Sequence, residues 1–306
     1  LDPNDLRFGA MPYGIVGEEE KVSWGSSNNI QGKILYGLAQ LATRSKDQEL
    51  LEALKLNADY YARIQYENGR WAHYVERAPQ SRCGYPTCWG VAGLLIAYEE
   101  LGREEYLQSA ERALAAYVKG ATPAEGLQPD GSIACHCTHC NALEDNHKIR
   151  SSITMLTPFA LAYKITRKPE YRRVLDDLHR FLSAAQHTAG VIKTDDSDCV
   201  NLIYAQNWGP QGFCEAFEAT GDGKFLETGL KIADFFARAQ LVDDDPNLDG
   251  AWVASYNVAK DFPGGNIDDE GNLYDLYTSW GAGPIVYGFQ RLLPHVEERL
   301  KNAASR

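Results

Sequence analysis

A chain of 306 residues that is 44% apolar, with 17 tyrosines and 6 tryptophans, is long enough to bury a large core. Its formal net charge of −12 argues against nucleic acid or an anionic membrane as partner. No apolar run approaches the roughly 20 residues of a spanning helix, so the sequence reads as that of a soluble protein.

No Pro/Ser-rich linker divides the chain, and one domain over residues 1–306 is the expectation. Residues 1–26 carry Gly, Pro and aromatic residues without helical period and read as an arm or loop. Leu1-Asp-Pro-Asn has neither an initiator Met nor a signal peptide, as a processed or trimmed end would, and cellular location is not legible from it. Helical patterning then predicts five pairs: 27–43 with 46–65, 85–101 with 103–119, 150–166 with 169–186, 204–220 with 223–241, and 274–291 with 294–304. Pro294 fits the first position of the last helix. The joints inside pairs are short, as in Thr220-Gly-Asp-Gly-Lys-Phe225, whereas the segments 66–84, 120–149, 187–203 and 242–273 between pairs are long. Antiparallel pairs with that alternation put every long loop on one rim, where function usually sits.

A second periodicity supports the same arrangement. Trp24, Trp89, Trp208 and Trp280 are each followed by Gly, and an aromatic residue (Tyr98, Phe217, Phe289) follows the last three at a spacing of nine. Nine residues at about 100° each put the two rings on opposite sides of a helix, one toward a shared centre and one toward the next layer. The implied fold class is all-α, an (α/α) toroid of five to six helical hairpins. Trp89, Trp208 and Trp280, with Tyr85, Tyr204, Tyr274 and Tyr277 nearby, would line a groove with flat faces on which sugar rings stack. Asn207 and Gln211 would serve the hydroxyls. The alternative is that Trp-Gly is a packing device, with Gly permitting close approach and Trp filling the core.

The joints Glu99-Glu-Leu-Gly-Arg-Glu-Glu-Tyr-Leu107 and Glu218-Ala-Thr-Gly-Asp-Gly-Lys-Phe-Leu226 resemble the hairpins of (α/α)-barrel carbohydrate-active enzymes. The resemblance spans roughly residues 30 to 292 and concerns the scaffold, not the catalytic motif of one family. It implies a glycan hydrolase, a polysaccharide lyase or a sugar epimerase acting on an oligo- or polysaccharide, with no cofactor required. The scaffold also hosts non-carbohydrate cyclases and transferases, and a silent glycan-binding subunit would share it.

The densest polar stretch is Cys135-His-Cys-Thr-His-Cys-Asn-Ala-Leu-Glu-Asp-Asn-His-Lys-Ile-Arg150, which runs into a helix start. In a hydrolase, Glu144 or Asp145 would be one carboxylate of an acid/base pair and Asp275, at the corresponding start of the last pair, its partner. Asp268, Asp269 and Glu270 are fallbacks. In a lyase, Asn146-His147 resembles the Asn-His pair of some toroid polysaccharide lyases. Asn146 would neutralise the uronate, His147 would take the α-proton, Tyr204 would be the acid and Arg150 a carboxylate contact. The aromatic residue that follows in that pattern is replaced here by Lys148-Ile149. A capped helix start is the plain alternative.

Seven cysteines is an odd number, and Cys83, Cys88, Cys135, Cys137 and Cys140 fall in two short stretches. Cys137-x-x-Cys140 has metal-knuckle spacing, so Cys135, Cys137, Cys140 and Cys88 are the candidate ligands for zinc, with a disulfide or free thiols as alternatives. Tyr85-Pro-Thr-Cys88 faintly resembles the Thr-Cys segment of thiolate-zinc glycosidases on this scaffold, without the Glu that precedes it there. The acidic loop 242–273 lacks the spacing of a Ca²⁺ loop, and neither a phosphate-binding glycine motif nor a nucleophilic-elbow serine is present.

Overall fold

The computed structural model describes residues 8–10, 14–16, 21–23, 28–71, 85–120, 125–134, 145–193, 199–202, 205–263 and 279–305. Of 14–16, 21–23, 28–29, 85–87, 145–147 and 279–281 it describes the backbone alone. The chain packs as two compact units: 1–128 with 133–142 and 161–168, and 129–132 with 143–160 and 169–306.

The first unit holds two helical hairpins, α1 (Asn28–Ser45) with α2 (Gln48–Arg63) and α3 (Tyr85–Leu101) with α4 (Glu104–Lys119). These match the expected pairs to within about two residues, the usual uncertainty of helix ends. Local chemistry fixes the joints. Asp47 caps α2, its side chain accepting from the amides of Glu49 (2.8 Å) and Leu50 (3.2 Å), a contact worth about 1 kcal/mol.

The equivalent helices of the two hairpins run parallel. Tyr36 of α1 packs on Trp89 of α3 with ring centroids 5.2 Å apart, and further along Lys46 pairs with Glu100 at 2.7 Å. Likewise Asp59 of α2 takes Arg103 (2.8 Å) and the Tyr106 hydroxyl (2.7 Å) of α4, and Gln65 takes the Ser109 hydroxyl at 2.8 Å. Within the arm, β1 (Gly14–Val16) pairs antiparallel with β2 (Lys21–Ser23), Ile15 facing Val22. The carbonyls of Phe8 and Gly9 accept from Arg63 and Asn57 of α2. A second short hairpin, β3 (Gly126–Leu127) with β4 (Ile133–Ala134), lies in the long segment after α4, where buried Glu125 pairs with Arg70 at 3.1 Å.

The second unit contains most of α5 (Asp145–Thr166), α6 (Pro169–Ala184), α7 (Gly209–Thr220), α8 (Gly223–Arg238) and α9 (Ser279–Ala304). Pro169 opens α6, Gly221 ends α7 in the left-handed region (φ 71°), and Asp222 caps α8 through the Lys224 amide. Packing of α6 against α8 repeats that of α2 against α4. Arg172 and Lys224 share Asp176 and Asp222, and His179 bonds the Lys224 carbonyl and the Thr228 hydroxyl. The three-stranded sheet of β5 (Cys199–Asn201), β6 (Ser255–Asn257) and β7 (Phe262–Pro263) is antiparallel, Val200 facing Tyr256. It joins the long segment before α7 to the one before α9.

Three expectations are corrected. α5 begins at Asp145, so the polar run 145–150 is the first turn of the helix and not a loop ahead of it. α7 begins at Gly209 behind a 3-10 turn, Gln206–Trp208. The last pair, expected as 274–291 and 294–304, is one helix through both Pro284 and Pro294. A proline removes one helical hydrogen bond. Leu292 and the half-covered Arg291 and His295, packed against α7 on either side of Pro294, hold the helix together across that gap.

Two tryptophans outside the Trp-Gly series perform matching work. Trp71 donates its indole N–H to the Tyr61 carbonyl of α2 at 2.7 Å, and Trp252 donates to the Phe236 carbonyl of α8 at 2.7 Å. Each pins the chain leaving the second helix of a hairpin back onto that helix, with a buried ring and a satisfied N–H.

Candidate functional site

In the second unit the starts of α7 and α9 lie at the same end. Gly288 of α9 approaches Pro210 and Gln211 so closely that an added Cβ would lie 2.6 Å from Pro210 Cβ. Further along both helices, Cys214 meets the Arg291 carbonyl at 3.4 Å, and the Phe217 ring meets His295 edge-on at 5.0 Å. The contacts advance together, so the two helices are parallel. α5 joins them through Gly212 of α7, which faces Ile153 and Leu156.

The start of α7 is built by exact polar matches. Gln206 closes a two-way bond with the backbone of Ile192, accepting from its amide at 3.0 Å and donating to its carbonyl at 2.7 Å. The Asn207 amide donates to the Leu202 carbonyl at 2.8 Å, and the Asn207 side chain is buried. Trp208 follows, partly exposed, as the last residue before α7. Behind it runs a polar ladder between α7 and α9. Gln211 donates to Glu215 at 3.2 Å, and Glu215 is 4% exposed. Arg291 pairs with Glu218, whose other oxygen faces the Cys214 thiol at 3.6 Å and His295 Nε2 at 3.4 Å. Burial works against the charge of Arg291, yet the Glu215 and Glu218 carboxylates outweigh it and hold the guanidinium above its ordinary pKa. Burial, and then the Glu218 charge, push the Cys214 thiol up to about 12. As it stands the thiol is no nucleophile. Cys214, Glu218 and His295 present three potential ligand atoms within 4.8 Å of one another.

Of the residues singled out from sequence, Asp145, Asn146 and His147 open α5, Tyr85 opens α3 and Trp280 lies in the first turn of α9, all as backbone. Arg150 is half-buried one turn further along α5. Glu144, Tyr204, Asp268, Asp269, Glu270, Asp275, Tyr277, Cys135, Cys137 and Cys140 lie outside the described residues. Trp89 is 1% exposed, with its ring against Tyr36, so it offers no open face in this arrangement. Cys88 beside it is fully buried, as is Cys214. Sequence reasoning named Gln211 but missed Glu215, Glu218, Arg291 and His295. The spacing of four in Gln211/Glu215, Cys214/Glu218 and Arg291/His295 was the available signal, since such pairs share a helix face.

Neither a protein-family model nor a curated protein sequence matches this chain. Solved structures do. All of the chain (100%) aligns with 79% of a sugar epimerase from a ruminal bacterium at TM-score 0.65 and 16% identity. A GH76 alpha-mannanase from Bacteroides thetaiotaomicron aligns over 92% of this chain and 72% of its own at TM-score 0.64 and 12% identity. An unsaturated glucuronyl hydrolase specific for heparin aligns over 94% and 92% respectively, at TM-score 0.63 and 12% identity. The fold is all-α, of the (α/α)-toroid type. Identities this low carry the fold alone.

Proposed function

We propose that this chain is a sugar-processing enzyme that cleaves a glycosidic bond of an oligo- or polysaccharide, with no cofactor needed for the chemistry. The observation that supports the reading is the likeness of at least 92% of the chain to a sugar epimerase, an alpha-mannanase and a glucuronyl hydrolase, over at least 72% of each of those chains. In this reading the whole chain works as one domain. Asp145, or its neighbour Glu144, is one member of the acid/base pair and Asp275 the other. One carboxyl protonates the leaving oxygen while the other activates water or attacks the sugar. Trp208 and Trp280 would stack the sugar at the starts of α7 and α9, with half-buried Arg150 contributing a polar contact, whereas the burial of Asn207 keeps its side chain from the sugar.

A second reading has an observation of its own: two of the similar structures are described as a sugar epimerase and a cellobiose 2-epimerase. An epimerase of that kind would move a proton at a carbon beside the sugar carbonyl without releasing a fragment, and a base such as His147 would serve it.

A panel of neutral and uronate oligosaccharides, incubated in heavy water, separates the readings. Hydrolysis releases new reducing ends without the ultraviolet absorbance of an unsaturated ring. Epimerisation leaves chain length unchanged and incorporates deuterium into the sugar. Asp145→Asn and Asp275→Asn should each lower kcat by about a hundredfold or more under the hydrolytic reading. Full activity in both variants would sink the carboxylate pair.

A further inference from the structure

The polar ladder between α7 and α9 ends in a group that the proposed sugar chemistry does not use. Cys214 and Glu218 are one helical turn apart on the same face of α7, and His295 reaches them from α9. We propose that Cys214, Glu218 and His295 form a zinc site that clips α7 to α9, at the end of α7 opposite Trp208.

Three features argue for it. The geometry fits first: the Glu218 oxygen is 3.6 Å from the Cys214 sulfur and 3.4 Å from His295 Nε2, and all three lie within 4.8 Å of one another. A triangle with edges of about 4 Å has its corners about 2.3 Å from its centre, which is a zinc–ligand distance. Small rotations about side-chain bonds bring the atoms to the tetrahedral positions of a central ion.

Charge is the second feature. Around the ladder Glu215, Glu218 and Arg291 sum to one negative charge while the thiol keeps its proton. A zinc ion adds two positive charges and releases the thiol proton to solvent, because a coordinating thiol is deprotonated outright. The assembly of zinc, thiolate, two carboxylates and guanidinium is then neutral, which suits its partly buried setting. Arg291 bonds Glu218 and donates to a different oxygen from the one facing Cys214 and His295. That is the orienting role an outer-shell partner plays for a ligating carboxylate.

The ligand set supplies the third. A thiolate with an imidazole selects zinc over magnesium or calcium, which prefer oxygen. Cys214 is fully buried, whereas the Glu218 and His295 side chains are 34% and 22% exposed. The fourth position therefore faces solvent and takes water.

Cobalt is the probe. Full-length protein stripped with a chelator is titrated with Co²⁺, and the thiolate-to-cobalt charge-transfer band is followed together with the visible bands of a tetrahedral ion. The expected result is one equivalent of that signal, displaced by Zn²⁺, retained in the Cys137→Ser/Cys140→Ser variant and abolished in Cys214→Ser. His295→Gln, at the partly exposed edge of the site, should weaken binding by at least the roughly tenfold to hundredfold that an outer-shell partner is worth. Zinc should also raise the melting temperature of the parent by more than that of His295→Gln at the same concentration. A parent without the band, a band that survives Cys214→Ser, or His295→Gln binding cobalt as the parent does would each overturn the assignment. None of these readouts requires sugar turnover, so failure here is distinct from failure of the proposed function.

Discussion

The α1–α3 and α7–α9 interfaces are built on the same plan, two parallel helices meeting at glycines, yet they are filled with opposite chemistry. Between α1 and α3 the contact is dry. Trp89 lies on Tyr36, and Gly93 admits Leu35 so closely that a Cβ there would lie 2.6 Å from Leu35 Cγ. Between α7 and α9 Gly288 gives the same closeness, but the contact carries Gln211, Glu215, Cys214, Glu218, Arg291 and His295. A scaffold repeat thus sets how near two helices come, while the side chains decide whether the seam is only a packing surface or a chemical one. The dry seam gains chiefly from apolar burial. The polar seam must satisfy each buried group or lose stability, and natural chains keep such groups where they serve something besides packing.

The largest effect is expected on the other face of α3, toward α2. At Gly90, the partner of Trp89 in its Trp-Gly pair, an added Cβ would meet the Tyr61 ring at 2.1 Å. Gly90→Ala should destabilise the first unit by about 3 kcal/mol, as overpacking of a filled core does, read as a lowered urea midpoint. Gly209, in the Trp208 pair, meets the flexible end of Ile232 at 2.9 Å. Gly209→Ala should cost about 1 kcal/mol or less, because that side chain can turn away. Equal costs would mean that the two Trp-Gly pairs do the same work. On the polar side, Arg291→Met should cost about 2 kcal/mol. It strips Glu215 and Glu218 of a shared cation, and the partial exposure of Glu218 softens the loss expected for a fully buried pair. Glu218→Gln, which can still accept from Arg291, should cost less in the same denaturation experiment.

Much of the dry seam was legible in the sequence. Tyr85–Leu101 is apolar around its whole circumference, which marks a buried helix, and its bounds are those of α3. The helix joints were legible because Asp47, Asp222, Gly221 and Pro169 follow capping rules that act within a few residues. Pro294 misled for the same reason: a local rule reads proline as a start, and tertiary packing against α7 keeps α9 whole. The burial of Trp89 depends on Tyr36, which lies in another hairpin. The link between the two helices of the ladder was illegible for a related reason, since Glu218 and His295 are 77 residues apart and no spacing in either helix announces the other.

The contact of α6 with α7 and α8 offers a milder test. His179 of α6 packs edge-on against Phe225 and Phe213, bonded to the Lys224 carbonyl and the Thr228 hydroxyl. Burial lowers its pKa from 6.5, and the nearby Lys224 charge acts in the same direction against the Lys224 carbonyl bond, Asp222 and Asp176. As pH falls through 6.5 the unfolded chain takes up a proton that the folded one still refuses. The stabilising contribution is therefore complete above that pH and is lost as pH falls toward the lower, folded value. The urea midpoint of the second unit should drop between about pH 7.5 and pH 5.5, and His179→Gln should flatten that part of the profile.

The smallest effect belongs to a charge on the dry seam. Lys46 and Glu100 close the far end of α1 and α3 at 2.7 Å, with the Lys46 side chain 62% exposed. Lys46 keeps most of its contact with solvent although Glu100 is only 14% exposed, so Lys46→Ala should cost about 1 kcal/mol or less in the same denaturation experiment, and salt should reduce even that. The same kind of ion pair in the ladder has no such freedom, because Arg291 is shared with Glu215 inside the seam. If Lys46→Ala costs as much as Arg291→Met, burial is not what separates the two seams, and their difference would have to be sought in the approach of the helices themselves.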